Sequence, residues 1–235
     1  MSNQKIALIT GSNKGIGFEI AKQLGKQGVT VLVGARDEER GNIATKLLKK
    51  EDVDAHLIII DVTSEVSVKL AAENIAKNYR RLDILVNNAG ISHEQGLKPS
   101  EMPLQAVRET YETNVFGVIN VTNAMLPLLR KSKAGRIVNI SSSMGSLTLA
   151  ADPTSPSAQL NLLAYNSSKA ALNSITLEYA KELRVTSVKI NAADPGYVYG
   201  DRTYADGAKA AVRLATLPVD GPSGTFQGEK GTIAW

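Results

Sequence analysis

Short β-branched segments alternate with amphipathic segments of helical length along this chain, and no other feature restricts its fold as much. The predicted strands are Lys5–Thr10, Thr30–Gly34, His56–Ile60, Leu82–Val86, Arg136–Ser141 and Val188–Ala193. The predicted helices are Gly15–Lys26, Glu38–Lys50, Glu65–Asn78, Leu104–Tyr111, Val115–Lys131 and Leu162–Leu183. Repeated strand–helix–strand units build a parallel sheet with helices on both faces. We therefore predict an α/β fold, a Rossmann-type doubly wound parallel β-sheet of about seven strands, with residues 1–235 as a single domain and the Pro- and Ser-rich residues 151–158 as a loop.

Composition narrows the class of protein further. With 43% apolar and 21% charged residues, a chain of 235 residues suits a globular fold. The net charge of +4, without clusters of aromatic and basic residues, argues against a nucleic-acid partner. The sequence has no cysteine, which excludes disulfides and favours a reducing compartment. Neither a signal peptide nor an apolar stretch of about 20 residues is evident, so we expect a cytoplasmic protein with no membrane partner.

A glycine-rich loop directly follows the first predicted strand and enters the first helix. Glycines at such a point let the chain turn tightly and approach a pyrophosphate, whose charge then lies at a helix N-terminus. A plain turn is the alternative for three glycines alone, but the position between strand and helix favours dinucleotide binding. The residues predicted to contact the cofactor here are Gly11, Asn13, Lys14, Gly15, Ile16 and Gly17.

The end of the second strand indicates which dinucleotide binds. An acidic residue here would bind the ribose hydroxyls of NAD, but the sequence has Gly34-Ala35-Arg36. The Arg36 guanidinium, with Lys14 from the glycine loop, suits the 2′-phosphate of NADP. Asp37 is interpreted as a helix N-cap. We predict NADP(H) as the cofactor, with a solvated surface arginine as the alternative for Arg36.

Further cofactor contacts are predicted where the third and fourth strands end. Asp61 follows the third strand, where its carboxylate can accept a hydrogen bond from the adenine amino group while Val62 packs on the ring. Capping of the next helix is the alternative for Asp61. Asn88, Ala89 and Gly90 follow the fourth strand, at the edge of the sheet where ligands bind in open α/β folds.

One pair of side chains is suited to proton transfer. Tyr165 and Lys169 are four residues apart at the start of a predicted helix and therefore share a face. A phenol with a pKa near ~10 is a poor acid at neutral pH, and a neighbouring ammonium stabilises the phenolate. The pair can thus protonate a carbonyl oxygen as a hydride arrives. Ser142 offers a hydroxyl to hold that oxygen, and Asn114 can fix a water that links Lys169 to solvent.

Taken together, these motifs resemble the short-chain dehydrogenase/reductase family in order and spacing, over nearly the whole chain. They are Thr10-Gly11-x-x-x-Gly15-x-Gly17, Asn87-Asn88-Ala89-Gly90, Asn114, Ser142, Tyr165-x-x-x-Lys169 and Pro195-Gly196. The resemblance implies a catalytic set of Asn114, Ser142, Tyr165 and Lys169, with Lys169 also contacting the nicotinamide ribose. The family pattern assigns the active hydroxyl to Ser142, and strand alternation directs Ser141 and Ser143 elsewhere.

Within the family, residues 11–17, 34–37, 40–41 and 211–218 resemble the carbonyl reductase-like group. That resemblance implies reduction of a small-molecule aldehyde or ketone with NADPH. It adds cofactor contacts at Pro195, Gly196 and Val198 beside Tyr165 and Lys169, and substrate contacts at Ser142 and Tyr165. Tyr197 follows Pro195-Gly196 and is predicted to line the substrate cleft, with a plain solvent-facing loop as the alternative. Two alternatives share the fold: an NAD-dependent alcohol dehydrogenase and a catalytically silent nucleotide-sensing protein.

The remaining observations concern the substrate loop, the oligomeric state and metal binding. Gly200 stands where the family usually has a threonine that holds the nicotinamide carboxamide, and few residues separate Val198 from Thr203. Either the substrate loop is short or residues are missing there, and the match on both sides favours the second. The segment from Ser142 to Tyr165 is intermediate in length, so both a monomer and a homo-oligomer stay open. His56 and His93 have no second ligand at metal-binding spacing, so we expect no metal.

Overall fold

The strands form one eight-stranded sheet in the part of the chain that the structure describes. The computed structural model describes residues 4–94, 96–196 and 203–235. The strands are β1 (Ile6–Thr10), β2 (Thr30–Ala35), β3 (Ala55–Ile59), β4 (Ile84–Asn87), β5 (Arg136–Ile140), β6 (Lys189–Ala193), β7 (Phe226–Gly228) and β8 (Gly231–Thr232). They are ordered β3-β2-β1-β4-β5-β6-β7-β8, and all neighbours are parallel except β7 and β8. The predicted doubly wound α/β fold is confirmed.

Eight α-helices surround the sheet in the part of the chain that the structure describes. They are α1 (Gly15–Gly25), α2 (Glu38–Lys50), α3 (Glu65–Tyr79), α4 (Leu104–Tyr111), α5 (Gly117–Leu129), α6 (Leu147–Ala151), α7 (Leu163–Glu182) and α8 (Tyr204–Ala215). Apolar side chains form one core on each face of the sheet: Ile9 belongs to the core beneath α1 and α8, and Leu8 to the core beneath α3 and α5. Because both faces are covered, the central strands are apolar throughout rather than alternating.

Two sequence predictions need correction. The predicted helix Val115–Lys131 begins earlier as a π-helical segment, Glu112–Phe116, and continues as α5. Hydrogen bonds that span five residues instead of four change the apolar pattern too little to be predicted from sequence. The predicted loop 151–158 begins in the last residue of α6 and ends in the 3₁₀-helix Pro156–Gln159. The Ser155 hydroxyl caps this 3₁₀-helix by accepting from the Ser157 amide. No described helix is both long and apolar enough to cross a bilayer. That residues 1–235 form one domain stays a prediction.

A buried polar network joins the strands and helices beneath the candidate site. The Asn87 amide on β4 donates to Asn139 Oδ1 on β5 at 2.9 Å and to Thr122 Oγ1 on α5 at 3.0 Å. Asn139 in turn donates to Thr176 Oγ1 on α7 at 2.9 Å. Buried amides must be paired to avoid a desolvation penalty. The network therefore fixes α5 and α7 relative to the carboxyl ends of β4 and β5.

Candidate active site

The glycine-rich loop between β1 and α1 adopts a backbone that favours glycine. Gly11 and Gly15 have φ values of +62° and +61°, the left-handed region that other residues rarely enter. The loop is anchored where the Ser12 amide donates to the Gly34 carbonyl at 3.1 Å. Among the residues that the structure describes, a Cβ added at Gly15 would meet only Tyr204 Cε1, at 3.8 Å. The described residues therefore leave space for a ligand above the start of α1, as an anion at a helix N-terminus requires.

The other predicted loop contacts lie around this opening. Lys14 is exposed, in extended backbone directly before α1, and Asn13 is half-buried beside it. Ile16 packs on the core, and Gly17 is buried. The Asn88 side chain stabilises the loop: its Nδ2 donates to the Thr10 and Gly11 carbonyls at 2.8 and 3.2 Å. Its amide thus supports the loop from the end of β4.

Thr10 joins the ends of β1 and β4, at the point where the strand order reverses. Its Oγ1 accepts from the Asn88 and Ala89 amides, both at 3.0 Å. A Cβ on Gly11 would lie 3.0 Å from the Ala89 Cα, so the two segments touch. Ligands of open α/β sheets bind in the crevice at such a switch point.

Gly17→Ala is expected to weaken both folding and cofactor binding. Its Cβ would lie 2.4 Å from Asn88 Nδ2 and 2.9 Å from the Gly11 carbonyl oxygen, so the loop must shift. We expect the free energy of unfolding to fall by about 1–3 kcal/mol, as measured by denaturant titration, and NADPH binding to weaken in a fluorescence titration. Gly28→Ala is the control: Gly28 precedes β2, away from the glycine-rich loop, and its φ of +81° makes the alanine strained although no described atom lies within 4 Å of the added Cβ. It should lower the free energy of unfolding but retain NADPH affinity. Unchanged affinity in Gly17→Ala would contradict the placement of the cofactor.

The adenosine end of the predicted cofactor site lies beyond β2 and β3. Arg36 follows β2 and is exposed. Asp37 caps α2, as predicted: its Oδ1 accepts from the Arg40 amide at 2.9 Å, and Oδ2 lies 3.6 Å from Arg40 Nε. The Asp37 carboxylate is therefore engaged by its own helix, while the Arg36 guanidinium faces solvent beside the strand end.

The capping alternative for Asp61 is wrong. Asp61 Oδ1 accepts from the amide and hydroxyl of Thr63 at 3.0 and 2.7 Å, whereas Ser64 caps α3 by accepting from the Ser67 amide. The adjacent Val62 is 9% exposed and packs against Gly117, where an added Cβ would be 2.9 Å from Val62 Cγ2. The Asx turn thus holds Asp61 at the end of β3.

Tyr165 and Lys169 lie on the first turns of α7, and the lysine is buried. Lys169 Nζ is 5.5 Å from the centroid of the Tyr165 ring and donates to the Ile140 carbonyl at 2.7 Å. Burial lowers the pKa of Lys169 to about 8, because desolvation disfavours the charged ammonium. An added Cβ at Gly145 would lie 2.6 Å from the Lys169 Cβ, so the segment after β5 packs directly on α7. This packing brings Lys169 next to the strand end that carries Ser142.

The serines after β5 have different surroundings. The Ser141 hydroxyl is buried and donates to Asn173 Oδ1 on α7 at 2.6 Å. Ser142 is only half-buried, in extended backbone, and its Oγ accepts from the Met144 amide at 3.2 Å. Tyr165 is also half-buried. Of these two serines, Ser142 is therefore the one whose hydroxyl is open to a ligand.

Asn114 lies in the π-helical segment and is 1% exposed. Its amide brackets the backbone of Ile91, accepting from the nitrogen and donating to the oxygen, both at 2.9 Å, and it donates to Ser168 Oγ at 3.1 Å. An added Cβ at Gly90 would be 3.3 Å from Asn114 Oδ1 and 3.6 Å from Lys169 Nζ. These three residues are neighbours; the predicted role of Asn114 in holding a water stays a prediction.

The segment after β6 carries the last of the predicted cofactor contacts. Gly196, after Pro195, has a φ of +67°, and its amide donates to Asp194 Oδ1 at 2.9 Å. Tyr197, Val198 and Gly200 lie outside the described residues.

The two histidines are each paired with one carboxylate. His56 Nε2 is 2.9 Å from Asp54 Oδ1, and His93 Nε2 is 3.4 Å from Glu109 Oε2. Across 4–94, 96–196 and 203–235, no group of three His, Cys, Asp or Glu residues is arranged to hold a metal ion.

One residue beside the site is marked by no sequence motif. The carboxylate of Glu94 accepts hydrogen bonds from the backbone amides of Ala164 and Tyr165, the latter at 2.9 Å. The two segments are far apart in sequence, and no spacing pattern links them. A contact of this kind becomes visible only in three dimensions.

Comparison with known proteins agrees with this geometry. The short chain dehydrogenase family model matches residues 5–210. The "Short-chain dehydrogenase anuI" of Penicillium roqueforti (strain FM164) is 38% identical over 90% of this chain and 88% of that protein. Salutaridine reductase of Papaver bracteatum is 34% identical over 96% of this chain and 94% of its own. The NADPH-bound carbonyl reductase from chicken fatty liver superposes with a TM-score of 0.85 at 26% identity, over 100% of both chains. The chain therefore belongs to the short-chain dehydrogenase family of oxidoreductases, which act with a nicotinamide cofactor.

Proposed function

We propose that this protein is an NADPH-dependent reductase of small-molecule aldehydes or ketones. The observation that carries the proposal is the buried Lys169, whose Nζ lies 5.5 Å from the centroid of the Tyr165 ring. The relatives support the direction of the reaction, since salutaridine reductase and an NADPH-bound carbonyl reductase are among them. The cysteine-free composition supports a cytoplasmic location.

The residues present fit a dinucleotide. Gly11 and Gly15 provide the left-handed turns, and the described residues leave space above Gly15. In this proposal the loop from Gly11 to Gly17 holds the pyrophosphate, with Lys14 and Arg36 at the 2′-phosphate. Asp61 and Val62 face the adenine; Ala89, Gly90, Pro195 and Gly196 line the nicotinamide half. The bound nicotinamide supplies the hydride that reduces the carbonyl carbon.

The chain's own residues handle the carbonyl oxygen and its proton. The Ser142 hydroxyl donates a hydrogen bond to that oxygen, and the Tyr165 phenol delivers the proton as negative charge develops there. Lys169 acts on Tyr165, because an ammonium near the ring favours the phenolate that remains. Its burial strengthens this electrostatic effect. Asn114 keeps the Ile91 segment and α7 in register beside Lys169.

Turnover with a panel of aldehydes, ketones, quinones and α-dicarbonyls tests the proposal. Consumption of NADPH should be followed by ultraviolet absorbance, with NADH in a parallel series. We expect turnover of at least one carbonyl class with NADPH. Binding of NADPH without turnover of any carbonyl would support the silent nucleotide-sensing alternative, and a preference for NADH would support the alcohol dehydrogenase.

Arg36→Ala is expected to reduce the preference for NADPH over NADH by roughly 10- to 100-fold, since a charge-assisted contact to the 2′-phosphate is lost. The ratio of kcat/KM for the two cofactors measures the effect. Arg184→Ala is the matched control: this exposed arginine precedes the amino end of β6, whereas Arg36 follows the carboxyl end of β2. An unchanged kcat/KM ratio in Arg36→Ala would show that this arginine does not bind the 2′-phosphate of NADPH.

A further inference from the structure

We infer that Glu94 is a positioning residue for Tyr165: its carboxylate holds the first turn of α7, and with it the backbone of the proton donor. Glu94 lies in the segment after β4 and is half-buried. The inference rests on the proposed function for its catalytic consequence, but the contact itself is independent of that function. The structural and catalytic consequences can be tested separately.

The first turn of a helix has amide groups without an intrahelical partner. In α7 the N-cap residue is Leu162, which makes no side-chain capping bond. Glu94 fills this role from outside the helix: its two carboxylate oxygens accept from the amides of Ala164 and Tyr165. A negative charge at this end also interacts favourably with the helix dipole. The amide that receives this cap belongs to Tyr165 itself.

The segment that carries Glu94 is anchored at two points directly before this residue. Asn114 fixes the Ile91 backbone through two hydrogen bonds of 2.9 Å. His93 Nε2 lies 3.4 Å from Glu109 Oε2 on α4. Neighbouring side chains of one segment thus reach α4 and α7. The Glu94 carboxylate is therefore held by the same framework that places Asn114 beside Lys169.

Small displacements of a proton donor have large kinetic effects, because the reacting atoms must lie within a narrow range of distances. Without Glu94 the first turn of α7 has two uncapped amides and can fray. Tyr165 lies in that turn, whereas Lys169 lies one turn later, fixed by Ile140. Loss of Glu94 should thus affect proton transfer and leave NADPH binding nearly unchanged.

Hydrogen exchange of the full-length protein tests the contact without any turnover. In Glu94→Ala the amides of residues 164 and 165 should exchange about 10-fold faster or more, while the rest of α7 stays protected. Ser64→Ala, which removes the cap of α3, is the matched control and should leave these amides unchanged. Equal exchange in wild type and Glu94→Ala would overturn the inference, whatever the activity of the enzyme.

Steady-state kinetics test the catalytic consequence. We expect Glu94→Ala to lower kcat roughly tenfold with the KM for NADPH unchanged. Glu94→Gln, which keeps one of the two acceptor oxygens, should restore only part of the loss. In a Tyr165→Phe background, Glu94→Ala should change the rate by less than about twofold, since residues that act as one unit are not additive. A full tenfold loss in that background, or an equal loss in Ser64→Ala, would refute the positioning role. An inactive wild type would instead refute the proposed function. The hydrogen-exchange result would still show whether Glu94 caps the first turn of α7.

Discussion

Tyr165→Phe is expected to lower kcat/KM for carbonyl reduction by about 10²- to 10⁴-fold, the usual contribution of a positioned general acid. The substitution removes only the phenolic oxygen, so the ring stays next to Lys169 Nζ, 5.5 Å from its centroid in the wild type. NADPH affinity should change little, because the glycine-rich loop and Arg36 are untouched. Steady-state rates and a fluorescence titration with NADPH measure the two effects.

The matched control for this prediction lies on the same helix. Tyr179 is a second tyrosine of α7, and its hydroxyl donates to Asn123 Oδ1 at 2.7 Å. Tyr179→Phe makes the same chemical change away from the site and should retain nearly all activity. Full activity in Tyr165→Phe would rule out the proposed proton donor. Equal losses in the two variants would indicate damage to α7 rather than to the chemistry.

Lys169→Met is expected to abolish most of the activity and to make the cofactor-free protein more stable. The loss in kcat/KM should be about 100-fold or more, because the buried cation beside Tyr165 is a preorganised electrostatic contribution. Stability should rise because Lys169 is 5% exposed and burial has lowered its pKa from 10.5 to about 8. Below pH 8 the folded wild type holds a poorly solvated ammonium. Allowing for the lost hydrogen bond to Ile140, we expect a gain of about 1–2 kcal/mol at pH 7.

The gain should depend on pH in a defined direction. Between pH 8 and 10.5 the unfolded wild type binds more protons at Lys169 than the folded state does, so wild-type stability rises with pH in this window. The advantage of Lys169→Met should therefore be largest below pH 8 and shrink as the pH rises towards 10.5. Denaturant unfolding of both proteins across this range measures it. Lys181→Met, an exposed lysine of the last turn of α7, is the control and should show no such trend.

Structural features that depend on residues close together in sequence were predicted successfully. The alternation of strands and helices was sufficient for the α/β fold, and α7 begins at Leu163 and ends at Glu182, one residue inside each predicted boundary. The cap at Asp37 was predicted as well, because capping depends on the residue and its nearest neighbours. In each case the determining interactions lie within a few residues of one another.

Other features depend on tertiary contacts or on small departures from regular geometry. The π-helical turn at Asn114 changes the apolar pattern too little to be predicted from sequence. Strands β7 and β8 have three and two residues, too few for a period to be visible. The Glu94 contact joins segments on separate elements. The desolvation of Lys169 arises from close packing at Gly145 and Gly90. No local sequence motif predicts this packing, because the segments are far apart in the chain.

The central claim is that Tyr165 and Lys169 serve carbonyl reduction by NADPH, and one labelling experiment tests it most directly. The enzyme is incubated with NADPH that carries deuterium at the transferable position of nicotinamide C4, together with a carbonyl compound from the panel. We predict an alcohol with deuterium on the former carbonyl carbon for the wild type, and about 10²- to 10⁴-fold slower label transfer for Tyr165→Phe. Tight NADPH binding with no labelled alcohol from any carbonyl, or equal label transfer by both proteins, would contradict the claim.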